Sequence, residues 1–165
     1  MGALAMTSLG VVLCGGGREA HAGNPNYAVS ATVCESAPRS SAVWHTIGGV
    51  YNPNPGTSPA QVVCPVVVDV QSLAQWNEAY FRASNPTSGT LTCTLYELDS
   101  ANNVVASSSA SLGPNRPMQK VTVPQGALLS GQTANDIFVW FCSLPAPATT
   151  SSPVAVLQSI YLGVN

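Results

Sequence analysis

The chain has 165 residues, of which 7% are charged, with Lys plus Arg at 5, Asp plus Glu at 7 and a net charge of -2. That length suits one domain with a proper core, and so few cations cannot line a groove for nucleic acid or an anionic bilayer. No apolar stretch reaches the length of a membrane helix, so no membrane span is expected.

At the start, Ala3–Leu13 is apolar but short, and Ala20-His21-Ala22 has the small-x-small form of a signal-peptidase site. The reading is a signal peptide over 1–22 and a single domain over 23–165, secreted into an extracellular or periplasmic space. Removing 1–22 takes Cys14 away and leaves Cys34, Cys64, Cys93 and Cys142, an even number that suits an oxidising compartment. None of the spacings is C-x-x-C, which argues against zinc or a redox dithiol. No cofactor or metal is expected.

Tyr27–Cys34 alternates Tyr27, Val29, Ala31 and Val33 against Ala28, Ser30 and Thr32, the pattern of a first strand. Val43–Tyr51 is strand-like around Gly48-Gly49, where a bulge or the close approach of another backbone is expected. Asn52–Pro59 is a rigid loop with three prolines. Ala60–Val70 is apolar on both faces, as in a strand covered on both sides, while Pro65 argues for an edge or a bulge. Glu78–Ser84 alternates and is read as a strand rather than a helix, and Asn85–Gly89 as a turn.

Leu91–Asp99 carries the cleanest pattern, with Leu91, Cys93 and Leu95 on one face and Thr92, Thr94 and Tyr96 on the other. Ser100–Asn103 turns into a strand over Val104–Ser111, and Met118–Pro124 is a short strand followed by a polar loop over Gln125–Asn135. Asp136–Leu144 is a second strong β run, with Phe138, Trp140 and Cys142 on one face. Pro145–Pro153 is a loop, and Val154–Gly163 a last strand. About nine short strands with turn signals between them predict an all-β fold, an antiparallel β-sandwich of jelly-roll or Ig-like kind.

Cys93 and Cys142 both point inward on strands. Of the three possible pairings, Cys34–Cys64 with Cys93–Cys142 is favoured, and Trp140 is read as core packing, as the tryptophan beside the inter-sheet bridge is in Ig domains. The succession of an early cysteine, VVCPVVV, NPTSG, LTCTL and FCSLP resembles a group of secreted bacterial two-disulfide β-sandwich proteins. The resemblance covers most of 23–165 and implies export, two bridges and a sandwich, with no chemistry attached.

Candidate chemistry is sparse. His45 is the only histidine in 23–165, and no G-x-S-x-G stands near it to supply a nucleophile. Glu97 and Asp99 sit two apart on a strand, about 7 Å along one face, a spacing compatible with an inverting acid pair or part of a calcium site. A solvated rim is the simpler reading. Among the aromatics, Trp44, Trp76, Tyr80 and Tyr96 are the candidate sugar-stacking residues, Trp44 and Trp76 first because they lie nearest loops.

Three functions are compared on this basis. The first is a secreted protein with a structural or protein-interaction role and no catalytic activity. The second is a carbohydrate-binding module using exposed aromatics, and the third a glycoside hydrolase. With one lysine, Lys120, to protect sheet edges, self-association or an extracellular protein partner is expected, with a glycan as the alternative ligand.

Overall fold

Along Leu91–Leu98 every second side chain is buried, Leu91, Cys93, Leu95 and Glu97, while Thr92, Thr94, Tyr96 and Leu98 stay partly open. That strand belongs to a computed structural model that describes residues 26–56, 58–66, 76–124, 128 and 137–164. The described residues form eleven strands: β1 (Asn26–Ser30), β2 (Glu35–Ser36), β3 (Trp44–Thr46), β4 (Gly49–Tyr51), β5 (Ala60–Val66), β6 (Trp76–Asn85), β7 (Leu91–Leu98), β8 (Val104–Leu112), β9 (Arg116–Val123), β10 (Ile137–Leu144) and β11 (Val156–Val164). They form two antiparallel sheets packed as a sandwich. One runs β3-β4-β11-β6-β9 with β1 also on β11, the other β2-β5-β10-β7-β8.

The core fills the space between the sheets. From the first sheet Val50, Phe81, Leu157, Ile160 and Leu162 point in, and from the second Val62, Leu91, Leu95, Phe138, Trp140 and Leu144. Trp140 is fully buried and meets Phe81 across the sandwich edge to face, centroids 6.3 Å apart at 78°.

Both expected disulfides are present, Cys34–Cys64 and Cys93–Cys142. Their placement differs from that of the inter-sheet bridge of Ig domains. Cys93 and Cys142 are direct partners on β7 and β10. Cys34 and Cys64 continue the β2–β5 register, in which Glu35 faces Val63. Each bridge therefore joins neighbours within the five-stranded sheet, with Cα atoms 4.1 Å apart. Cys34 falls in the polar register of the Tyr27–Cys34 pattern, which predicts a tie at the strand's end, yet it is fully buried and part of the core.

Three further expectations are corrected. The first strand stops at Ser30, not Cys34, because the Ser30 Oγ accepts from the Thr32 N–H at 3.3 Å and starts a 3-10 turn over Ala31–Val33. The count exceeds nine partly because Val43–Tyr51 folds back on itself at Ile47-Gly48 to give two strands. β5 is buried on one face only. Ala60, Val62, Cys64 and Val66 point in while Gln61 and Pro65 are exposed. Pro65 lies past the end of the short β2, where its missing N–H leaves no ladder bond unmade.

The signal-peptide reading over 1–22 lies outside the described residues, as do 67–75 and most of the loop over 125–136. Among the described residues no helix is long and apolar enough to cross a membrane.

Candidate functional site

At one end of the six-stranded sheet, β3 and β4 form a hairpin whose tip is Ile47-Gly48. Thr46 Oγ1 accepts from the Gly48 N–H at 3.2 Å and donates to the Gly49 carbonyl at 3.3 Å, which closes the turn. Gly49 has φ +136, and a Cβ there would collide with the Leu157 carbonyl oxygen of β11. The close backbone approach expected from Gly48-Gly49 is therefore found, at Gly49. It seats the hairpin against the sheet and sets Trp44 opposite Tyr51. Their rings meet edge to face, 6.2 Å apart at 69°. Trp44 is 61% exposed, an unusual position for so large an apolar ring.

Two loops complete the corner. In Asn52–Gly56 the fully buried Asn52 accepts from the Asn54 N–H at 3.0 Å and donates to the Leu144 carbonyl at 3.4 Å. The Gly56 N–H then donates to the Pro147 carbonyl at 3.1 Å, pinning this loop to Pro145–Pro153. Between them lies a shallow cavity of about 390 Å³. Among the described residues its apolar walls are Trp44, Tyr51, Pro53, Pro55 and Val154, with Asn54 and Thr150 as its polar side chains and no charged group. Prolines and tied turns hold these walls before any ligand arrives, which reduces the ordering cost of binding.

The other predicted aromatics are dispersed. Trp76 opens β6 opposite Val164, and its side chain is outside what the structure describes. Tyr80 stands on the outer face of the six-stranded sheet, stacked on Tyr161 at 4.4 Å and 18°, with the Lys120 ammonium 4.2 Å from its ring centroid. Burial, then the neighbouring Tyr80 and Glu78, push the Tyr161 hydroxyl above its ordinary pKa. Tyr96 stands on the outside of the other sheet, edge-on to Phe141 at 6.5 Å. Trp44 and Tyr80 thus share a sheet face, whereas Tyr96 is on the opposite side of the sandwich. The site proper is Trp44 with Tyr51 and the two loops. Of the loop residues none was singled out from sequence, although the two proline-rich segments were.

No protein-family model matches the chain, and neither does any curated protein sequence. Solved structures with a similar arrangement include a CBM36 carbohydrate-binding module in complex with calcium and xylotriose, 10% identical, TM-score 0.46, covering 82% of this chain and 98% of that one. Another is the CBM36-1 domain of a multidomain xylanase from the hindgut metagenome of Trinervitermes trinervoides, 8% identical, TM-score 0.45, covering 86% and 98%. A third is the isomalto-dextranase of Arthrobacter globiformis T6 complexed with panose, 13% identical, TM-score 0.42, covering 83% of this chain and 23% of that one. At these values the likeness is one of sandwich architecture. The first two are carbohydrate-binding modules, and the structural or protein-interaction role expected first is not carried further.

The acidic pair does not form a site. The strand's alternation continues one step beyond Leu95 and carries Glu97 to the inside, where it is 2% exposed. The solvated rim expected there is corrected for Glu97 accordingly. Asp99 lies past the strand end and accepts from the N–H groups of Ala101 and Asn103, each at 2.8 Å, and from the Asn103 amide. The Asn103 side chain, then its backbone, hold the Asp99 carboxyl below its ordinary pKa. His45 is exposed on β3. Among the described residues no three His, Cys, Asp or Glu side chains are grouped to hold a metal ion.

Proposed function

We propose that the protein is a secreted, non-catalytic carbohydrate-binding module, and that a sugar ring stacks in the corner made by Trp44 and Tyr51. The supporting observation is that corner itself: an exposed tryptophan fixed edge to face on a tyrosine, over a cavity with no charged side chain among the described residues. A pyranose presents an apolar C–H face and a rim of hydroxyls. The indole supplies the stacking surface, and the Asn54 and Thr150 side chains stand at the polar edge of the same cavity. Among the described residues no carboxylate, histidine or cysteine lines it, which favours binding over hydrolysis. Export, read from residues 1–22, belongs to the same proposal, and two disulfides fit an oxidising compartment.

The test is affinity electrophoresis of the purified protein through gels containing soluble xylan, glucan, mannan, arabinan or pectin. At least one polymer is expected to retard the protein, and Trp44→Ala to abolish the retardation without lowering the melting temperature. Equal migration of parent and Trp44→Ala in every gel overturns the proposal. Release of reducing sugar from a retarding polymer overturns its non-catalytic part.

A further inference from the structure

We propose that the glycan bound at the Trp44–Tyr51 corner carries carboxylate groups, and that Arg82 recognises one of them; this rests on the sugar-binding reading above. The pairing of strands makes the case. Arg82 on β6 and Lys120 on β9 are direct cross-strand partners. Like charges opposite each other are destabilising in a sheet, and they stand here in a chain with only 5 basic residues. Lys120 resolves its half of the conflict. It leans along the sheet over the Tyr80 ring, 4.2 Å from the centroid, and forms an ion pair with Glu78. Arg82 has no such outlet: it is exposed and forms no ion pair among the described residues.

Its position relates it to the corner. Tyr51 faces Val156 on β11, and Val156 faces Ser84 on β6, so the row that begins at Trp44 ends two residues from Arg82. Two strand spacings of about 5 Å across and a two-residue step of about 7 Å along β6 separate the Tyr51 and Arg82 backbones. Alternation puts Arg82 outward with Tyr80, opposite the buried Phe81 and Ala83, so it lies on the face that carries Tyr51. The path between them crosses Val156, Ser84 and Ser159 and holds no acidic group. A polysaccharide stacked at Trp44 and extended over this face brings a neighbouring unit to the guanidinium. The planar fork of arginine matches a planar carboxylate with two parallel hydrogen bonds, which makes a uronic acid unit the fitting ligand. The cavity, whose described walls carry no charge, takes the ring; Arg82 takes the acid.

Polygalacturonate, alginate and glucuronoxylan, each beside a counterpart with its carboxyl groups reduced to alcohols, are the probes. Dissociation constants are measured by calorimetry at low and at physiological salt. The expected result is at least one polymer bound about tenfold tighter in its acidic form, with that preference shrinking as salt is added. In Arg82→Gln the ratio between acidic and reduced forms is expected to fall to about one, and Arg82→Lys to restore part of it. An acidic preference undiminished in Arg82→Gln overturns the role of Arg82. Trp44-dependent binding with no acidic preference for any polymer overturns this inference and leaves the stacking corner standing. No Trp44-dependent binding to any glycan overturns both.

Discussion

Gly49 and Leu157 touch backbone to backbone, and that contact decides where Trp44 stands. With φ +136 and the Leu157 carbonyl where a Cβ would go, the position admits glycine alone. Gly49→Ala is expected to cost about 2–3 kcal/mol through strain and displacement of the hairpin. Urea denaturation of the variant, together with its glycan affinity, checks this; both are expected to drop, since the corner loses its seat.

Asn85 is a second point of leverage. It is fully buried at the end of β6, and its amide donates to the carbonyls of Gly89, Leu112 and Gly113 at 2.9, 3.0 and 3.0 Å. Its oxygen accepts from the Thr87 hydroxyl at 2.7 Å. One side chain thereby ties the β6–β7 turn to the end of β8. Asn85→Ala leaves several buried partners unmet and is expected to lose about 3 kcal/mol in denaturant titrations. Asn85→Asp, which keeps the shape but cannot donate, is expected to be at least as harmful.

Asp99 makes the β7–β8 turn sensitive to acid. Its folded pKa is depressed by hydrogen bonds from Asn103 and Ala101. Its contribution to stability is therefore present above the unfolded carboxylate pKa of about 3.9 and is lost as pH falls through the lower folded value. Carbon-detected NMR titration is expected to place the Asp99 midpoint below that of an unstructured aspartate. Asp99→Asn is expected to flatten the pH dependence of unfolding in this acidic range.

The disulfides are predicted to act on stability and leave the corner intact. With sequence separations of 30 and 49 residues, each is worth about 3.5–4 kcal/mol by chain-entropy reasoning. Non-reducing peptide maps are expected to link Cys93 with Cys142 and Cys34 with Cys64. A Cys93→Ala/Cys142→Ala double variant is expected to unfold at lower urea but, below its midpoint, to bind glycan with the parent's affinity.

Where the sequence carried a strict two-residue period it could be read almost to the residue. Leu91–Leu98 shows this, and so does the cysteine pair that its alternation aimed inward. The same period also carried Glu97 inward; the assumption that an acid near a strand end faces water hid it. The Trp44–Tyr51 corner was legible only in part. Trp44 could be singled out by its polar surroundings, but Tyr51 becomes its partner through a reversal at Ile47-Gly48, where Gly48-Gly49 suggests only a bulge or close approach within one strand. Pro53, Asn54, Thr150 and Val154 come from segments about a hundred residues apart, joined by single backbone hydrogen bonds such as Gly56 to Pro147. Contacts of that kind leave no periodic trace.

The two disulfides also do something that stability alone does not describe. β10, Ile137–Leu144, has apolar or aromatic side chains on both of its faces. A strand of that kind gains little from choosing one side over the other, and a slip of one residue would turn Phe141 inward and Trp140 out at small hydrophobic cost. Cys142 removes that freedom, because only one alignment lets it meet Cys93. Cys64, bonded to Cys34 and lying opposite Trp140, holds the strand on the other side of β10 to its edge neighbour. The covalent links thus act as a reading frame for a strand that carries apolar side chains on both faces.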